Sequence, residues 1–192
     1  MGGTLHVAPQ KKKINFGRMN DVLTWVFGIV LAAFLGVFLI YAFGIKTSVI
    51  GPSMEPTLYA GEEIYLDRII YQFTSPKRGD VIVFHPNGNR NIHLYVKRVV
   101  GLPGETIQIK QGRLYINGVQ FAGDYSGELM EPGIAENVIT LDVEEYFVLG
   151  DNRGESEDSR SADIGLISRD LIEGKAWLPD RSGSEEGIGR VE

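Results

Sequence analysis

His93-Leu94-Tyr95-Val96-Lys97-Arg98-Val99-Val100 is the stretch that decides the fold, since its β-branched and aromatic residues alternate with polar ones at period two. As a strand it puts Tyr95, Lys97 and Val99 on one face and Leu94, Val96, Arg98 and Val100 on the other. Similar short segments surround it, separated by turn signals. Strands are expected over Glu63 to Leu66, Asp80 to Phe84, Ile92 to Val100, Glu105 to Lys110, Arg113 to Ile116, Val119 to Phe121 and Tyr146 to Leu149. Gln111-Gly112 and Asn117-Gly118 read as hairpin turns, the second a strong signal for a two-residue primed turn. Gly123 to Asn137 reads as a loop, and Gly150 to Arg160 as a second, polar turn region. The expected domain is all-β.

N-terminal to this pattern lies VLTWVFGIVLAAFLGVFLIYAFGI, residues 22–45, twenty-four residues without a charge, bounded by Asp21 and Lys46. It is long enough to span a bilayer as a helix and longer than the apolar core of a cleavable signal peptide. Trp25 and Tyr41 sit near its ends, where interfacial aromatics are favoured, and the basic residues ahead of it orient the N-terminus toward the cytoplasm. The expected organisation is a cytoplasmic segment 1–21, a transmembrane helix 22–45, an extracytoplasmic β domain 46–180 and a Gly/Ser/Glu-rich tail 181–192 for which disorder is expected.

The net charge of −6 is unevenly spread. Lys11, Lys12, Lys13, Arg18 and Lys46 belong to the anchor region, whose only acid is Asp21, leaving 14 basic against 24 acidic residues beyond it. An acidic domain argues against a nucleic-acid partner. With no cysteine there is no disulfide or thiolate site. His6, His85 and His93 are too scattered for recognisable zinc-ligand spacing, so no metal and no cofactor are expected.

Gly51-Pro52-Ser53-Met54-Glu55-Pro56-Thr57-Leu58 places one hydroxyl on a constrained turn, with Ser53 eight residues past the apolar run. Gly51 allows close backbone approach, Pro52 fixes one φ angle and Pro56 pushes Glu55 toward an extended conformation. Ser53 is a candidate nucleophile, and a serine hydroxyl needs a base to take its proton. If the strand face carrying Tyr95 and Val99 is buried, Lys97 is desolvated there, and desolvation lowers a lysine pKa toward neutrality. His93 and His85 are rival bases, for which Asp80 or Asp158 would be the orienting carboxylate. The run Gly150 to Arg160 favours Lys97, because Ser156 is suited to hydrogen-bond a neutral amine while Asp158 and Arg160 pair and stiffen the turn.

Together these pieces resemble the bacterial type I signal peptidase (leader peptidase) family, in its small single-anchor form. The resemblance rests on Ser-Met-Glu-Pro-Thr-Leu (53–58), Arg-Gly-Asp-Val-Ile-Val-Phe (78–84), Tyr-Val-Lys-Arg-Val-Val-Gly-Leu-Pro-Gly (95–104) and Gly-Asp-Asn-Arg with Ser-x-Asp-Ser-Arg (150–160). It implies coiled antiparallel β-sheets and a membrane serine endopeptidase with a Ser/Lys dyad. Such an enzyme cuts signal peptides from exported preproteins after small residues, through an acyl-enzyme. Ser53 would be the nucleophile, Lys97 the general base, Ser156 its orienting partner, and Asp158 with Arg160 a supporting salt bridge. Met54, Tyr95 and Val96 match positions lining the substrate pockets. The oxyanion would be held by the Ser53 backbone. Some members add a serine hydroxyl where this chain has Gly51, so either the Gly51 backbone substitutes or one donor is missing. The implied partners are signal-peptide-bearing preproteins, the bilayer and the protein-export machinery, with the catalytic domain on the outer face of the cell membrane.

Three other readings compete. A self-cleaving repressor-type Ser/Lys protease lacks its DNA-binding helical domain here and is disfavoured by the membrane helix. A penicillin-binding or β-lactamase site needs Lys three residues after the serine, where Pro56 stands. A non-catalytic membrane-anchored β module binding exported chains is opposed by the presence of Ser53, Lys97 and Ser156.

Overall fold

The computed structural model describes residues 16–43, 45–89, 93–122 and 130–180. The lysine triplet, residues 123–129 of the expected loop and the tail from Arg181 lie outside the described residues. Two compact units divide between Leu39 and Ile40. The first contains helix α1, Phe16–Phe43, as far as Leu39; the last four helical residues belong to the second. Its stretch Gly17–Ala42 reaches a mean hydropathy of 2.6. The helix begins at Phe16 rather than Val22, because no proline interrupts the polar turn ahead of the apolar run and helicity does not require apolar side chains.

The second unit is antiparallel β. Its large sheet has the strand order β1 (Lys46–Ser48), β2 (Glu63–Asp67), β11 (Ile172–Asp180), β3 (Val81–Phe84), β4 (Tyr95–Gly101), β9 (Glu145–Leu149) and β10 (Ile167–Ser168). A smaller sheet runs β7 (Val119–Gln120), β6 (Arg113–Ile116), β5 (Thr106–Lys110) and β8 (Ile139–Thr140). Both hairpin turns take the primed form: Gln111 and Gly112 have φ of 50° and 70°, Asn117 and Gly118 have φ of 52° and 78°, joining β5 to β6 and β6 to β7.

Four strands escape the period-two reading. β1, β8 and β10 have two or three residues each, too short to show a period. β11 is long, but Gly174 and Pro179 interrupt it and its register against β2 shifts between Ala176 and Leu178, which destroys strict alternation. It nevertheless fills the middle of the sheet between β2 and β3. β4 starts at Tyr95, with His93 and Leu94 outside it and Ile92 outside the described residues. The described end of the expected loop carries a short 3-10 turn, Gly133–Glu136.

The large sheet is buried on both faces. On β3, Val81 and Val83 pack with Met54, Leu58, Leu66 and Val96, while Ile82 and Phe84 pack with Val99, Tyr146 and Val148. That accounts for four consecutive apolar residues in β3. β4 lies beside it, and every residue from Val96 to Gly101 is buried. Lys97 stands directly opposite Ile82 in the ladder, so its side chain leaves the strand on the face of Ile82 and Val99. A third cluster, including Val100, Ile107, Leu114 and Phe147, joins the end of β4 to the small sheet. Phe147→Ala should leave an unfilled cavity there and lower stability by roughly 3–5 kcal/mol, measured as a shift in the urea midpoint of the detergent-solubilised protein.

Candidate active site

Ser53 is carried by a chain of turns between β1 and β2. The Glu55 N–H donates to Pro52 O at 3.0 Å and the Leu58 N–H to Met54 O at 2.9 Å; the Glu55–Pro56 peptide is cis. Gly51 enters the turn at φ 76°, a backbone region that glycine adopts without strain. Met54 and Leu58 are fully buried in the cluster behind the turn, so the segment is nailed to the core on either side of the polar Glu55.

Lys97 reaches the same place from β4. Its Nζ donates to Ser53 Oγ at 2.6 Å, although 44 residues separate the two in sequence. The lysine is 4% and the serine 9% exposed. Burial lowers the Lys97 pKa from 10.5 to about 8; the neighbouring Asp158, Glu157 and Asp151 oppose this shift and Arg160 adds to it. The Tyr95 ring lies 5.5 Å from Nζ.

The loop from Gly150 to Arg160, expected as a polar turn, is polar but largely sunk into the protein: Arg153, Asp158, Ser159 and Arg160 are all buried. Arg160 grips Asp158 through Nε at 2.8 Å and Nη2 at 2.9 Å, and Asp158 also accepts from the Gly150 N–H at 3.1 Å. The Asn152 N–H donates to the Ser53 carbonyl at 3.1 Å, so the loop holds the serine's backbone directly. Ser156 Oγ is buried and has no hydrogen-bond partner among the described residues; it does not bond Lys97.

Three residues given no role from sequence form a second clamp. Arg98 binds Asp151 in bidentate fashion, Nε to Oδ1 at 2.8 Å and Nη2 to Oδ2 at 2.7 Å, and Thr57 Oγ1 donates to Asp151 Oδ2 at 2.6 Å. Alternation already put Arg98 on the face opposite Lys97, and a charged residue on a strand buried on both sides needs a buried partner. That two-sided burial was the missing signal.

A cleft of about 300 Å³ opens over Ser53 and Lys97. Tyr95 and Val96 line it with Ile50, Pro52 and Leu94, whereas Met54 lies in the core beneath. His93 is also on the wall, but the hydrogen bond to Ser53 Oγ comes from Lys97. His85 faces Glu173, Nε2 to Oε1 at 3.2 Å. Neither candidate carboxylate orients a histidine: Asp80 accepts from Tyr71 at 2.9 Å and Lys175 at 2.6 Å, and Asp158 is held by Arg160.

Fold and geometry describe an antiparallel β protein that presents a serine hydroxyl to a buried amine at the floor of an apolar cleft. Residues 22–179 match the family model for signal peptidase, peptidase S26. Signal peptidase I of Bacillus licheniformis is 36% identical over 166 residues, covering 82% of this chain and 87% of that protein. Signal peptidase I T of Bacillus subtilis strain 168 is 35% identical over 165 residues, with coverage of 82% and 84%. Signal peptidase IB of Staphylococcus aureus strain COL is 36% identical over 178 residues, with coverage of 81% and 87%. The chain belongs to the type I signal peptidase family, peptidase S26. It is therefore a serine peptidase acting on chains that carry signal peptides, and its apolar N-terminal helix anchors it to a membrane.

Two outcomes follow from the geometry. A Cβ on Gly150 would overlap both Ser156 Oγ and the Ser53 carbonyl oxygen. Gly150→Ala should therefore keep the circular-dichroism spectrum but lose on the order of 100-fold in peptide cleavage, the scale of a 1 Å misplacement. The second concerns pH. Unfolded, Lys97 keeps its proton up to about 10.5; folded, it releases it near 8. The unfolded state therefore binds more protons between these values, and stability rises with pH across that window, by about 3 kcal/mol. Urea titrations at pH 7.5 and 10.5 should show this gain in the wild type and not in Lys97→Met.

Proposed function

We propose that Ser53 and Lys97 form the catalytic dyad of this peptidase and that it works through an acyl-enzyme. The observation that carries the reading is the 2.6 Å contact between a hydroxyl and a lysine amine that burial has moved toward neutrality. In the neutral form the Lys97 amine takes the proton of Ser53 Oγ as that oxygen attacks the substrate carbonyl carbon. Collapse of the tetrahedral intermediate breaks the C–N bond, and the ammonium gives its proton to the leaving amine. Water, deprotonated by the same lysine, then attacks the ester and frees Ser53. The Ser53 N–H is the candidate oxyanion donor, with the Gly51 backbone beside it.

The surroundings support this assignment. Asp158 would hold Lys97 protonated if left alone, and Arg160 occupies that carboxylate. Ser156, beside Gly150 at the serine's carbonyl, is a buried hydroxyl without a hydrogen-bond partner among the described residues, available to align the amine once substrate moves the side chains. The ladder from β4 to β9 begins at Arg98, so Tyr95 to Lys97 offer a strand edge along the cleft where an extended peptide could add as a further strand. A shallow apolar cleft suits small side chains flanking the cut. The basic N-terminal flank favours an orientation with the β unit on the outer face, the side on which exported preproteins would be met. A non-catalytic module would have no need to bury a lysine at such cost.

Cleavage of a preprotein in detergent tests the reading. Ser53→Ala, Lys97→Ala and Lys97→Arg should each lose at least about 10³-fold with folding retained. The wild-type kcat/KM should rise tenfold per pH unit and level off above about 8, as the base loses its proton. If Lys97→Ala still cuts and His93→Ala does not, the base is His93. If the wild type binds preprotein without cutting it, the anchored-module reading replaces this one.

A further inference from the structure

Two carboxylates on the cleft are unused by this mechanism. Glu157 and Glu155 both line it and both are exposed. Glu157 is also held in place: its Oε2 accepts a hydrogen bond from the Tyr95 hydroxyl at 3.2 Å. The other end of Tyr95, its ring, is the surface 5.5 Å from Lys97 Nζ. Glu157 is thus a carboxylate linked through one side chain to the reacting groups. Much of the wall is apolar, including Val49, Ile50, Leu94 and Val96, and Lys97 is the one lysine or arginine among its lining residues, so the carboxylate charge is weakly screened along the rest of the wall once a peptide has displaced water.

We propose that Glu157, anchored by Tyr95 and flanked by Glu155, gives the cleft a charge preference: where the bound peptide passes this wall a basic side chain is favoured and an acidic one is rejected. The proposal rests on the peptidase reading of Ser53 and Lys97 and adds a specificity that small pockets alone do not supply. Discrimination by charge here works mainly against the wrong peptide, because an acidic side chain meets a carboxylate tied to this wall by its hydrogen bond from Tyr95. The same carboxylate also faces the lysine. Asp158, Glu157 and Asp151 favour its protonated form and Arg160 opposes them, so neutralising Glu157 should ease deprotonation.

The test uses full-length enzyme in detergent and a synthetic signal-peptide cleavage sequence whose residues flanking the cut are all uncharged. Single Lys and single Asp versions are made at each position from five before to three after the cut, and kcat/KM is measured at pH 9, where an ordinary histidine is neutral. At one position at least, the Lys peptide should be cut about tenfold faster than the Asp peptide at low salt. The ratio should shrink toward one in Glu157→Gln and in the Glu155→Gln/Glu157→Gln double variant, and fall in 1 M salt. Glutamine still accepts from Tyr95, so the wall's shape is kept, and the uncharged peptide gives each variant its reference rate. Glu157→Gln should also move the rising limb of the pH profile to lower pH. A Lys/Asp ratio near one at every position, or a ratio unchanged in the double variant, overturns the proposal while leaving the dyad standing. A wild type that leaves the uncharged peptide intact overturns the dyad reading and the preference with it.

Discussion

An amine with almost no access to water, one hydrogen bond from a hydroxyl, is the constraint on which the rest of the β unit depends. Keeping it charged there costs about 3 kcal/mol at neutral pH, a large part of the net stability of a domain this size. The cheapest relief would be a carboxylate moved into contact with Nζ, which would restore an ordinary protonated lysine. The structure blocks that route. Asp158 is committed to Arg160 and Asp151 to Arg98 and Thr57. Buried ion pairs of this kind contribute little stability compared with apolar packing. What they supply here is occupancy: each carboxylate is satisfied before it can capture the amine.

Such burial needs a strand covered on both sides, and β4 is one because the sheet is sandwiched. The strands on either side of the site, β3, β4 and β9, were legible because their apolar residues outnumber their interruptions, and the two primed turns were legible from Asn117-Gly118 and Gln111-Gly112. What stayed hidden was the strand that completes the sheet. Ile172–Asp180 mixes Glu173, Gly174, Lys175 and Pro179 with its apolar residues, and the first three are there because of specific tertiary contacts. Glu173 pairs with Arg68 at 2.5 Å, Lys175 with Asp80 at 2.6 Å, and a Cβ at Gly174 would strike the Asp67 backbone. These are contacts between residues more than ninety positions apart, and no local pattern announces them.

The site was legible to a similar depth. Ser53 and Lys97 stood out as a hydroxyl on a constrained turn and a cation on a strand, and Asp158 with Arg160 as opposite charges two residues apart. Their burial was not legible, because a run such as Arg153-Gly154-Glu155-Ser156-Glu157-Asp158 has the composition of a solvated turn. Only the packing of the loop against β9, where Ser159 exchanges two hydrogen bonds with the Val148 backbone, takes it out of water. Met54 shows the opposite limit. The family resemblance implied a pocket wall there, but successive residues of a turn point in different directions, and Met54 is buried in the core cluster behind the turn.

That inward methionine explains why the serine can be so well placed on a loop. Loops usually hold functional groups less tightly than sheets do. Here Met54 and Leu58 anchor the turn in the core, Thr57 ties it to Asp151, and the Asn152 N–H holds the Ser53 carbonyl. Asp151 and Asn152 belong to the loop that also carries Ser156, Asp158 and Arg160, while Arg98, which clamps Asp151, follows Lys97 directly on β4. The turn, the loop and the strand are therefore cross-braced through adjacent residues, so moving any one of the three displaces the hydroxyl relative to the amine. Peptide-bond cleavage tolerates little such displacement, and three short segments distant in sequence are held together around a single hydrogen bond.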